Sequence, residues 1–253
     1  MNCSRLLGAA GTDYLPPVRA PLAAMDFVAS VARRKRFVEV GSLRGDVIEC
    51  VSHFASHATS IEADRRYCSV LKKRARANGR WTSMCATFSG SLVPMPAADW
   101  YFAWVPPHLD MALLAALREQ QSSGRVPRTA RFLLGFDTKV PNEKKMLDAL
   151  SSLAERVTGV RYDERIAKPK GIYKSEKMAS RMHGEFHIAQ FDTWHLDPVR
   201  LEEVAKRERA STQIRRCRGV APLGEPCVHD HVHDAAPPTA TRRRFTSWRA
   251  RCR

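Results

Sequence analysis

Between residues 21 and 195 the hydrophobic positions repeatedly switch period. In "PLAAMDFVASVARRKR" (21–36) apolar side chains recur at Leu22, Met25, Phe27, Val28 and Val31, the spacing of one helix face. The segment closes on a cationic turn, as a helix C-terminus favours. "RFVEV" (36–40) then reads as a short strand, and past two glycines "DVIECVSHFASH" (46–57) returns to helical spacing. The alternation continues with a strand over 58–64, a helix over 65–79 stopped by Asn78-Gly79, and a strand over 81–88. A loop through Pro94 and Pro96 leads to the apolar strand 98–104, a helix over 108–121 and a strand over 128–136. A helix over 142–157 follows, with Asn142 as N-cap and Glu143 in its first turn. Two last strands, 159–166 and 184–194, have no helical pattern between them and are expected to pair antiparallel.

Strands alternating with helices specify an α/β fold, a doubly wound and mostly parallel sheet between two helical layers. The pattern divides the chain into a loose leader (1–20), one α/β domain (21–196) and a charged helix with a Pro-, Ala-, Thr- and Arg-rich tail (197–253). That tail is expected to be disordered alone, because it has too little apolar area to offset ordering. No internal repeat is evident.

Composition narrows the class. With 44% hydrophobic residues the chain can bury a core, and no apolar run approaches membrane-spanning length. The formal net charge is +16, which favours anionic partners. The cations are not only in the tail: of 42 Lys/Arg and 26 Asp/Glu, only 13 and 7 fall after residue 196. Seven cysteines without a C-x-x-C pair signal neither a disulfide framework nor a thiolate zinc site, so a reducing, cytoplasmic setting is expected.

The chemistry concentrates in "FVEVGSLRGD" (37–46). In a doubly wound sheet the glycine-bearing first turn lets backbone approach a ligand at the C-terminal strand ends, which places Gly41 and Gly45. The second strand ends in Glu62, 21 residues beyond Gly41, a spacing suited to a carboxylate that accepts from ribose hydroxyls. Glu39 adds an acid within an apolar strand, where it needs a cation or donors. Beside a pyrophosphate it would repel; beside an ammonium it would help.

"VEVGSLRGD", "SIEAD", the strand "ADWYFAW" and the terminal strand pair together resemble the class I S-adenosylmethionine-dependent methyltransferases, over roughly residues 21–195. The resemblance implies a seven-stranded sheet of order 3-2-1-4-5-7-6 with strand 7 antiparallel, and S-adenosylmethionine as cofactor. By position it puts Glu39, Gly41 and Ser42 near the methionine moiety, Gly45 in the turn and Glu62 on the ribose. Ala63 or Asp64 would flank the adenine. Leu43 stands where the family has its middle glycine, and after the third strand Cys85, Thr87 and Phe88 replace the usual acid or Asn. At the exits of the fourth and fifth strands, Trp104, His108 and Asp137 are the candidates for the acceptor side, His108 and Asp137 being those for a catalytic base.

The loop "AKPKGIYKSEKMASRMHG" (167–184) carries Lys168, Lys170, Lys174, Lys177 and Arg181 against Glu176, a basic flap suited to an anionic acceptor, with Lys170 and Lys174 as contacts. In the tail, Cys227, His229, His231 and His233 alternate, a pattern read as adventitious rather than a metal site. Arg242–Arg244 with Phe245 and Trp248 combines charge and stacking faces, as nucleic-acid binders do. The expected function is methyl transfer. The rivals are a catalytically inactive nucleic-acid-associated protein on the same fold and, disfavoured by Glu39 and Leu43, an NAD-dependent oxidoreductase.

Overall fold

The computed structural model describes residues 2–7, 20–86, 95–105, 107–165 and 181–207. Seven strands form one sheet: β1 (Arg36–Val40), β2 (His57–Glu62), β3 (Trp81–Cys85), β4 (Trp100–Ala103), β5 (Arg131–Asp137), β6 (Arg156–Arg165) and β7 (Arg181–Phe191). Their order is β3-β2-β1-β4-β5-β7-β6, as the resemblance implies. β1 to β5 are parallel, with β1 between β2 and β4. β7 runs antiparallel to both β5 and β6, so β6 is again parallel to the rest.

Both faces of the sheet are covered, which explains why its central strands are almost continuously apolar. Side chains alternate between two cores. Phe37, Phe102, Leu133 and Ile188 pack with α1 (Cys3–Leu7), α2 (Leu22–Val31), α3 (Asp46–Val51) and the inner face of α4 (Arg65–Asn78). Val38, Tyr101, Phe132, Leu134 and Phe191 pack with α5 (Pro107–Ser122), α6 (Pro141–Leu150) and a helical segment over 198–207. No described helix is long and apolar enough to cross a membrane.

Several boundaries differ from the sequence expectation for local reasons. α2 ends at Val31, before its cations, because the chain must reverse into β1; Arg34 takes φ 60° and donates its amide to the Phe54 carbonyl. α6 begins at Pro141, with Val140 and not Asn142 at the N-cap. Proline suits that first turn, where its missing N–H would have no partner in any case. The same helix stops at Leu150, and Ser151 turns its hydroxyl back to the Asp148 carbonyl. The residues after it join β6.

The cysteines require a correction. Cys3 is disulfide-bonded to Cys50, and Cys68 to Cys85, with Cα–Cα distances of 5.4 and 5.5 Å. The first bond ties α1, within the stretch expected to be a loose leader, to α3. The second links the first turn of α4 to the end of β3. Neither pair is close in sequence, being 47 and 17 residues apart, so only the fold brings them together.

Candidate functional site

The turn after β1 is built by backbone that most side chains would resist. Gly41 and Gly45 have φ of 74° and 81°, and Leu43 sits at 46° between them. A Cβ on Gly41 would lie 2.9 Å from Val105 Cγ1, and one on Gly45 would lie 2.5 Å from Leu71 Cδ2. Glycine is therefore needed twice over, for its conformation and for close packing. The Gly45 amide donates to the Ser42 carbonyl at 2.6 Å, and the Gly41 amide to Ile61 at 2.8 Å, which binds the turn to β2. Arg74 of α4 holds the far side, donating to the Arg44 carbonyl (2.5 Å) and the Asp46 carboxylate (2.8 Å).

Two buried carboxyls frame this turn. Glu62, at the end of β2, accepts from the Leu43 amide (2.7 Å) and the Asp64 amide (2.8 Å), one through each oxygen. A carboxylate has about four acceptor positions, so two remain. Glu39 accepts from the Ile48 amide at 3.0 Å. Burial pushes the Glu39 carboxyl up to about 8; hydrogen bonds from Ser42 and Ile48 lower it less than burial raises it, and the charges of Asp46 and Glu62 raise it further. A cationic group placed here would relieve that repulsion, whereas a pyrophosphate would add to it. These carboxyls suit a cationic ligand group and hydroxyl donors better than a pyrophosphate.

The remaining adenine-side candidates are mixed. Ala63 is exposed between Glu62 and Asp64, and Asp64 caps α4 by accepting from the Arg66 amide at 2.9 Å. Cys85 pairs in register with Glu62 but is bonded to Cys68 and offers no free thiol. Thr87, Lys170 and Lys174 lie outside the described residues, as does the tail from residue 208.

At the ends of β4 and β5 lies a second cluster. Trp104 packs edge-on against Phe186, with ring centroids 4.5 Å apart, and its indole donates to Glu143 at 3.3 Å. Glu143 also accepts from the Asp137 amide at 2.5 Å, while the Asp137 carboxylate accepts from the Lys139 amide at 2.9 Å and so shapes its own turn. The backbone of His108 falls in the first turn of α5. Two acids beyond the sequence candidates belong to this region. Glu143 is pushed up chiefly by burial. Asp110, 2% exposed, has an Oδ2 without a hydrogen-bond partner among the described residues and is pushed up to about 8 by burial and then by the charge of Glu143. Asp110 shares a helical stripe with Leu113, Leu114 and Leu117, which is the signal that could have found it.

No protein-family model and no curated protein matches this chain. Solved structures do resemble it. Precorrin-6y C5,15-methyltransferase from Geobacter metallireducens is similar at a TM-score of 0.52 and 13% identity, over 72% of this chain and 93% of that one. A precorrin-8w decarboxylase from Methanobacterium thermoautotrophicum gives 0.49 and 12%, over 69% and 92%. An RNA methyltransferase from Salinibacter ruber, solved with S-adenosyl-L-homocysteine, gives 0.47 and 12%, over 72% and 97%. The first of these establishes the fold and nothing finer.

Proposed function

We infer, from the premise that this chain carries the fold of the class I S-adenosylmethionine-dependent methyltransferases, that it binds S-adenosylmethionine and transfers its methyl group to an acceptor. The observation that supports this most is the pairing of two buried carboxyls, Glu39 and Glu62, around the Gly41–Gly45 turn at the C-terminal end of β1 and β2.

When bound, the cofactor supplies a methyl activated by a positively charged sulfur, so the protein need only orient the reactants and exclude water. In this reading Glu39 faces the cationic amino-acid portion, Ser42 and the two glycines line it, and Glu62 uses its free acceptor positions on the ribose. Ala63 and Asp64 flank the adenine. With a cation beside it Glu39 loses its proton, so binding tightens as pH rises towards about 8. On the acceptor side, Trp104 and Glu143 form the exit of β4 and β5. Glu143, raised by burial, is suited to take a proton from an acceptor hydroxyl or amine. His108 stays a candidate base by its place in α5, and Lys170 and Lys174 candidate contacts for an anionic acceptor.

The test is transfer of labelled methyl from S-adenosylmethionine into RNA, protein and small-molecule fractions of a cell extract. One fraction should be labelled by the wild type, and Glu62→Gln should label it at least ~10-fold more slowly, as expected when a charge-assisted hydrogen bond is weakened. No label in any fraction, from protein shown to bind the cofactor, would contradict the transfer.

A further inference from the structure

α4 is the most one-sided element of the fold. Its sequence, "RRYCSVLKKRARAN", holds six cations and no acid. Two of the six are neutralised within the domain: Arg66 pairs with its own N-cap, Asp64 (2.6 Å), and Arg74 pairs with Asp46 (2.8 Å) and Glu49 (3.7 Å) of α3. The other four, Arg65, Lys72, Lys73 and Arg76, are exposed, and among the described residues none has an ion-pair partner.

Helical geometry puts those four together. At about 100° per residue they fall within an arc of roughly 100°, interrupted only by Ser69, and at about 1.5 Å per residue they span ~16 Å from Arg65 to Arg76. Arg66 and Arg74, the two paired cations, lie off that arc. A merely solvated helix face mixes signs and gains from acid–base pairs one turn apart. Here Lys72 and Arg76 are a like-charged pair at i,i+4, an arrangement that costs helix stability. A row of unpaired cations kept at that cost calls for an external anion.

We propose that the Arg65–Lys72–Lys73–Arg76 face of α4 binds the phosphodiester backbone of a nucleic acid. The four cations share one face of α4, whose opposite face is buried through Cys68, Leu71 and Ala75, and a face of unpaired cations extended along a helix suits a chain of phosphates. A membrane surface is disfavoured because the apolar face of α4, Cys68, Leu71 and Ala75, is buried against the sheet. Only Val70, 43% exposed, is left outside on this helix as a large apolar residue, so the helix has nothing to insert. A protein partner is disfavoured because interfaces are built on aromatic and apolar anchors and are depleted in lysine. Arg65, three residues after Glu62, lies at the same end of the sheet as the Gly41–Gly45 turn, and Lys72, Lys73 and Arg76 follow about 10–16 Å further along the helix. Its residues are other than those of the arginine-rich tail, Arg242–Arg244.

The test uses the full chain without cofactor and a fluorescently labelled 20-nucleotide single-stranded RNA, with the same DNA sequence as a second arm. Anisotropy is followed across salt concentrations for the wild type, for K72E/K73E/R76E and for the tail variant R242E/R243E/R244E. The expected result is binding to either nucleic acid that weakens at least ~10-fold in the α4 variant at 0.1 M salt. Three fewer phosphate contacts should also flatten the log–log salt dependence by about 2, from a slope of about 0.7 per contact on single strands. R65A/R76A, which only truncates exposed side chains, provides the same comparison at smaller amplitude should the triple variant fold poorly. Wild-type affinity in both α4 variants, a loss confined to the tail variant, or binding to phosphatidylserine vesicles without binding to RNA or DNA would each overturn the proposal.

Discussion

Asp110 shows what a single residue can contribute. Its place in the Leu113–Leu114–Leu117 stripe puts it inside, and among the described residues its Oδ2 has no partner there. Its pKa in the fold, about 8, is above the ordinary 3.8, so the folded state holds a proton that the unfolded state releases. Its contribution to stability is therefore complete below the unfolded value and is lost as pH rises through about 8. Asp110→Asn should leave stability unchanged near pH 4 but raise it by about 1–3 kcal/mol at pH 9, the scale of burying an unpaired polar group. Thermal melts of both proteins from pH 4 to 9 check this; parallel curves would show that Asp110 is not held as a neutral acid. Glu39 was legible in sequence as an acid in an apolar strand. Asp110 was less so, because nothing in its neighbours announced the missing partner.

Among the elements, the turn from β1 into α3 carries the most consequence. Its glycine spacing was readable from the sequence, but the reason for Gly45 was not: Leu71, from a helix 26 residues later, fills the space a side chain would take. Gly45→Ala should cost about 2–4 kcal/mol, combining a left-handed backbone with overpacking against Leu71. For a domain of this size that lowers Tm by roughly 5–15 °C, measurable by calorimetry; an unchanged Tm would mean that the turn is looser than described. Other element details needed the third dimension. Pro141, not Asn142, opens α6, because the cap is decided by how the chain leaves β5. The cysteine pairs were invisible because Cys50 meets Cys3, and Cys85 meets Cys68, only after the helices pack on the sheet. Glu143 was read as a first-turn acid; that it also reaches Trp104 and the Asp137 amide follows from β4 and β5 lying side by side.

For the whole molecule, a mostly parallel sheet with an antiparallel last pair was legible because strand and helix periods alternate cleanly up to β5 and then stop alternating, whereas the strand order was implied by the family resemblance. β7 lies between β5 and β6 and runs antiparallel to both. The same order sets Glu39, Gly41, Ser42, Gly45 and Glu62 at one end of neighbouring strands, with Trp104 and Asp137 at the ends of the next two. The acceptor has no comparable signature, since a hydroxyl, an amine or a base edge would each be met by a few side chains at loop ends. The central claim concerns the cofactor, and isothermal titration calorimetry with S-adenosylmethionine, S-adenosylhomocysteine and NAD tests it most directly. The first two should bind, S-adenosylmethionine should tighten by up to ~10-fold per pH unit between pH 6 and 8 as Glu39 gives up its proton, and NAD should give no heat. Binding of NAD, or of none of the three, would contradict it.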